Sequence, residues 1–166
     1  MATDTTFDDV LAANTTYASG FELADLEAHA ARGLGVLTCM DSRIDPLGML
    51  GLAPGDAKIM RNAGARVTDD VLRTLVLASH LLNVQRFMVV AHTHCAMTTS
   101  DPAAVHDRIV AAGGPDTRSL AFMTTDDQEA SVRADVQRVR SWPFLGHLTV
   151  GGFVYDLKTG LLRQVC

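Results

Sequence analysis

A chain of 166 residues can bury one ordinary core but not two comfortable ones, so a single domain over 1–166 is expected. Its formal charge of −5 comes with no Lys/Arg cluster, which excludes the concentrated positive patch that a nucleic acid or an anionic membrane surface requires. Hydrophobic residues make up 48% of the chain, a share that predicts apolar surface covered by a second copy, and hence a homo-oligomer.

The start, MATDTTFDDVLAAN, carries acids where a signal peptide needs a basic stretch followed by an apolar one. No apolar run approaches membrane-spanning length, so a cytoplasmic protein is expected. Residues 7–21 then place Phe7, Val10, Leu11, Tyr17, Ala18 and Phe21 at helical spacing, broken at Asn14, which reads as an arm that lies on something. LGVLTC (34–39) is a short apolar run with Val and Thr, and reads as a strand. AKIMRNAG (57–64) is a second strand that runs into a loop at Asn62 and Gly64.

TDDVLRTLVLASHLLN opens with a Thr68/Asp69 cap, carries acids in its first turn, repeats apolar residues at helical period and stops near Asn83. RFMVVAH (86–92) is a third strand. Residues 103–112 are weakly helical, GGPDTRS is a loop, and 126–140 is a charged helix ended by Ser141 to Pro143. HLTVGGFVYDLKTGLLRQV closes the chain with a strand, a turn at LKTG and a further short apolar run. Strands alternating with helices predict an α/β fold, a mainly parallel sheet covered on both faces, with ligands at the carboxyl ends of its strands.

Three cysteines, Cys39, Cys95 and Cys166, are too few and too scattered for a disulfide framework, which turns attention to metal binding or catalysis. Cys39 ends the first strand and His92 the third, with Cys95 three residues further along AHTHCAM. Two thiols and one imidazole suit tetrahedral Zn²⁺, and three protein ligands leave the fourth position open, as a catalytic zinc requires. In TCMDSRIDP, Asp41 and Arg43 follow Cys39 at a spacing of two. On an extended chain they share one side, where the guanidinium keeps the carboxylate ionised and oriented. Cys166 is expected to be a plain thiol and His80 a structural histidine; His29, His106 and His147 carry no motif.

CMDSR, then RNAG, a TDD-capped helix and H-x-x-C together resemble the β-class carbonic anhydrases, in order from about Cys39 to Met97, with FVYD as in the short bacterial members. The resemblance implies one zinc per chain on Cys39, His92 and Cys95, with an Asp41–Arg43 pair beside it. It also implies a dimer or dimer of dimers with an amino-terminal arm, here 1–28, lying across the partner. The implied reaction is reversible hydration of CO2 to bicarbonate by zinc-bound hydroxide. The chain departs from the family at Ala96, where Gly is common, and at His94, where close relatives often have Asp. His94 is a candidate proton shuttle, its ordinary pKa being near neutrality.

Two other functions compete. Carbonyl sulfide or carbon disulfide needs no new catalytic group, only a different pocket around the same hydroxide. A non-catalytic zinc-stabilised module is disfavoured, because structural zinc ordinarily takes four protein ligands. No G-x-G-x-x-G or Walker pattern supports nucleotide binding.

Overall fold

The computed structural model describes residues 6–99 and 101–166. Its centre is a five-stranded sheet of β1 (Leu34–Cys39), β2 (Ala57–Asn62), β3 (Arg86–His92), β4 (Thr149–Tyr155) and β5 (Leu162–Gln164), in the spatial order β2-β1-β3-β4-β5. The first four strands are parallel and β5 returns antiparallel to β4 through the turn at Asp156–Gly160. All six positions of β1 are buried, which accounts for a strand of nearly unbroken apolar character rather than an alternating one. The register pairs Thr38 with Val90 and Cys39 with Asn62, so β1 and β3 finish at the same edge.

Two helices cover one face of this sheet, α2 (Asp69–Leu81) and α4 (Gln128–Arg140). Thr68 caps α2 by accepting from the Val71 N–H, and Asp127 caps α4 by accepting from Ala130. Leu72, Leu75, Val132, Val136 and Val139 pack with Leu37, Phe87 and Val89 into the main core. Burying each large side chain there contributes roughly 1.5–3 kcal/mol. The helix α4 lies so close to β4 that a Cβ on Gly152 would meet Val132 Cγ1 at 2.5 Å and Cys166 Sγ at 2.8 Å. The second glycine of VGGFVY is therefore a packing requirement.

The other face departs from the expectation of cover on both sides. Leu34, Val36 and Val90 are buried there, but Ile59, Met88, Phe153 and Tyr155 are only partly so, beneath the single turn at Gly48–Leu50. The helix α1 (Asp8–Ala18) does not cover it, since none of its residues is buried and Phe7 and Leu11 are 75% and 62% exposed. Residues 1–5 of the expected arm lie outside the described residues. The weak helix at 103–112 is α3 (Ala103–Ala111). Among the described residues, no helix is long and apolar enough to cross a membrane.

Candidate metal centre

Parallel alignment brings the ends of β1 and β3 together, and the turn after β3 carries Cys95 back toward them. The Sγ atoms of Cys39 and Cys95 and a ring nitrogen of His92 all lie within 4.8 Å of one another, with the two sulfurs 4.0 Å apart. Cys39 and His92 are buried at 4% and 1% exposure, and Cys95 is half-buried. His92 Nδ1 is satisfied by the Thr93 carbonyl at 2.9 Å, which leaves Nε2 facing the thiols. That Nε2 is buried without a hydrogen-bond partner among the described residues. An orphaned buried nitrogen is costly, and a metal ion is the partner that two sulfurs and an imidazole fit.

Burial pushes the Cys95 thiol up to about 11 and pushes the His92 imidazole down, because both charged forms lose water. The Cys95 sulfur thus keeps its proton until a cation displaces it.

Asp41 lies beside this cluster, its Oδ2 3.9 Å from His92 Nε2. The pair with Arg43 forms, though not through extension. The chain turns at Ser42, with the Arg43 N–H donating to Asp41 Oδ1 at 3.0 Å and the Ile44 N–H to the Asp41 carbonyl at 3.1 Å. The guanidinium then folds back, Nε donating to Oδ1 at 2.9 Å and Nη2 to Oδ2 at 2.6 Å. These donors hold the Asp41 carboxyl well below the usual carboxylate range, and the same bonds raise Arg43. Both carboxylate oxygens accept from Arg43, which fixes how Asp41 faces the Cys-His-Cys set.

Several groups around the site were not singled out as ligands or partners by spacing alone. Arg61 donates from Nε to the Cys39 carbonyl at 2.9 Å and from Nη2 to the Asp41 carbonyl at 2.6 Å. The arginine of RNAG thus clamps the turn that bears ligand and carboxylate. Gly64, at φ +78°, directs its N–H to Cys39 Sγ at 3.4 Å, and a Cβ there would meet Met97 Cβ at 3.3 Å. A buried ion pair joins Arg66 to Asp135 on α4 at 2.7 Å. No short motif announces that contact, because its members stand 69 residues apart.

A pocket of about 450 Å³ opens on the cluster, lined by Cys39, Asp41, Arg43 and Cys95 and by apolar groups from Met40, Ala63, Ala96 and Met97. His94 is exposed, at φ +55°, and its carbonyl accepts from Arg43 Nη2 at 3.2 Å. His80 is exposed rather than buried, but is satisfied through Nε2 at the Phe144 carbonyl, 3.0 Å away.

The chain and its fold are similar to those of known proteins. The family described as "Carbonic anhydrase" matches residues 34–162. The chain is 35% identical to "Beta-carbonic anhydrase 1" of Mycobacterium tuberculosis, covering 97% of this chain and 98% of that protein. A "Carbon disulfide hydrolase" of Acidithiobacillus thiooxidans is 29% identical over 80% of this chain and 76% of its own length. Among solved structures, a carbonic anhydrase from Streptococcus mutans superposes with a TM-score of 0.89 at 35% identity, over 96% of this chain and 97% of that one.

Proposed function

Because the chain belongs to the β-carbonic anhydrase family, a family of lyases, we propose that it binds one zinc ion on Cys39, His92 and Cys95 and catalyses reversible hydration of CO2 to bicarbonate and a proton. The observation that carries this reading is the buried, partnerless His92 Nε2 facing two thiols beside an arginine-held carboxylate. Zinc, when bound, supplies a Lewis acid that lowers the pKa of water from near 16 to about 7 in the unrelated carbonic anhydrases with three histidine ligands. Asp41 accepts the hydrogen bond of the attacking nucleophile and aims it, while Arg43 keeps that carboxylate ionised. Met40, Ala63, Ala96 and Met97 offer a small apolar substrate an apolar wall. His94, exposed next to Cys95, passes the released proton to solvent buffer; slower turnover with a changed, steeper dependence on buffer concentration in His94→Ala is the expected sign of this.

The chain's two thiolates donate more charge than two imidazoles, so activity is expected to rise toward alkaline pH between 6 and 9. Stopped-flow CO2 hydration on metal-analysed protein tests the whole reading, with one zinc per chain and rapid turnover as the expected result. A second reading, hydrolysis of carbonyl sulfide or carbon disulfide, is favoured by the match to carbon disulfide hydrolases, one of them 47% identical over 66 residues that span 40% of this chain and 32% of its own. Sulfide release measured on the same sample separates the two: rapid release beside slow CO2 turnover replaces the first substrate with the second.

A second copy is the proposed cover for α1 and the open sheet face. A helix of 11 residues without a buried side chain is too short to persist alone in water. A dimer or dimer of dimers in the cytoplasm is the assembly this reading takes.

A further inference from the structure

The turn from His92 to Thr98 supplies two of the three proposed ligands, and inside it the Thr98 N–H donates to the Cys95 carbonyl at 3.0 Å. His94 holds a left-handed φ of +55° without being glycine, a conformation that persists only where surroundings impose it. The ligands do little to draw themselves together, since His92 Nε2 has no hydrogen-bond partner among the described residues and the sulfurs share only a long S–H···S contact at 4.0 Å. Much of what shapes the turn comes from outside it.

One side chain spans it. Gln128, the first residue of α4, donates from Nε2 to the His92 carbonyl at 2.6 Å and to Thr98 Oγ1 at 2.8 Å. The carbonyl can only accept, so the amide nitrogen, not its oxygen, must face the turn, and both of its hydrogens are used. A single amide therefore ties the residue where β3 ends to the residue where the turn ends. Beside it the backbone adds a parallel bridge, Thr99 N–H to the Thr125 carbonyl at 2.9 Å and Thr125 N–H to the Met97 carbonyl at 3.2 Å. Those bonds hold the far end, and at the near end the Thr93 N–H donates to the Tyr155 carbonyl at 2.9 Å while Thr93 Oγ1 accepts from the Leu157 N–H at 3.1 Å; Gln128 is the side chain that links the two ends to each other.

We propose that Gln128 is a positioning residue of the metal centre, its amide holding the His92–Thr98 turn in ligand geometry before a cation arrives. The inference rests on the metal site proposed above. Groups that orient ligands through the backbone act on metal retention, and their loss typically costs 10–100-fold in affinity. The helix thereby does more than cover the sheet: its amino terminus sets how tightly the site closes.

The test uses the full chain loaded with Co²⁺, whose visible spectrum reports ligand geometry, together with the rate of metal loss to an excess of chelator. Gln128→Met keeps the side-chain length and removes both donors; it is expected to speed metal loss by about 10–100-fold and to alter the cobalt spectrum. Asp127→Ala serves as control, because it removes the α4 cap, at a cost of about 1 kcal/mol, without touching the His92 carbonyl. It is expected to lower the melting temperature while leaving spectrum and release rate unchanged. Unchanged release and spectrum in Gln128→Met would overturn the proposal, and so would equal acceleration by Asp127→Ala. If Gln128→Met does not fold, Thr98→Val, which removes one acceptor of the same amide, is expected to accelerate release more mildly, and no acceleration overturns the proposal. Wild-type chain that takes up no cobalt or zinc would instead overturn the metal site itself, and this inference with it.

Discussion

Asp41→Asn lowers CO2 hydration by about 10²-fold or more while the chain keeps its metal, as expected for a group that aims and accepts protons at the reacting centre. The carboxylate takes three donors from Arg43, one from its backbone and two from its guanidinium. An asparagine has one oxygen to meet them, and its amide N–H groups face the guanidinium donor to donor. The side chain must rotate, and the group facing His92 Nε2 then loses both its charge and its aim. The backbone around it should survive, because Arg61 holds the residue 41 carbonyl whatever the side chain is. Metal content near one per chain with an unchanged melting temperature, beside the lost rate, is the expected outcome; full activity would remove Asp41 from the mechanism.

The same pair sets a pH expectation. Arg43 depresses the folded Asp41 pKa below its unfolded value, so the stability it contributes is present above the usual carboxylate range and is lost as pH falls through the folded value. Asp41 therefore stays ionised across pH 6–9. The rise in rate over that range belongs to another group, and Asp41→Asn should lower the profile and shift its midpoint toward lower pH, because a negative charge beside the titrating group is gone.

Arg66→Met is expected to destabilise the fold by about 3–5 kcal/mol, as breaking one side of a buried ion pair does. The Asp135 side chain is 5% exposed and the Arg66 side chain 16%, so removing the guanidinium strands a carboxylate where water hardly reaches. Arg66 also donates to the Met123 carbonyl at 2.6 Å, and its backbone is gripped by Asn62, whose amide accepts from its N–H at 2.8 Å and donates to its carbonyl at 2.7 Å. The pair thus fastens α4 and the 121–125 segment to the turn that carries Gly64. Arg66→Met combined with Asp135→Leu should recover much of the loss, since an apolar pair of similar volume leaves no unpaired charge. Urea unfolding of the two single variants and the double variant measures both claims; a single variant within about 1 kcal/mol of the wild type would contradict the first.

The alternation of apolar runs and capped helices was enough to place β1, β2, β3, α2 and α4 within a few residues of where they lie, because each is a local pattern of burial and capping. Thr68 and Asp127 cap helices through side chains three residues from the N–H groups they satisfy, and such signals are written in the chain itself. The arm was legible as an amphipathic stripe, and the structure leaves that stripe without cover in a single chain. Cover on both faces was expected because parallel strands are apolar throughout, and that pattern does not say whether the covering atoms belong to the same chain.

At the site, the residue types and their order were enough to nominate Cys39, Asp41, Arg43, His92 and Cys95, since thiols, imidazole and an arginine-held carboxylate have few other joint uses. Their arrangement was not written there. Asp41 meets Arg43 through a turn instead of an extended chain, and the turn depends on Arg61, which comes from the next strand. Gln128 and the Arg66–Asp135 pair carry no motif, because their partners lie 30 to 69 residues away and meet them only once α4 packs on the sheet. By itself the sequence determined the elements and the chemistry of the candidate ligands, which depend on neighbours along the chain. The tertiary structure alone decided the distances between donors, the way Asp41 faces the ligands and the orphaned nitrogen of His92, because these arise where separate strand ends are brought to one edge.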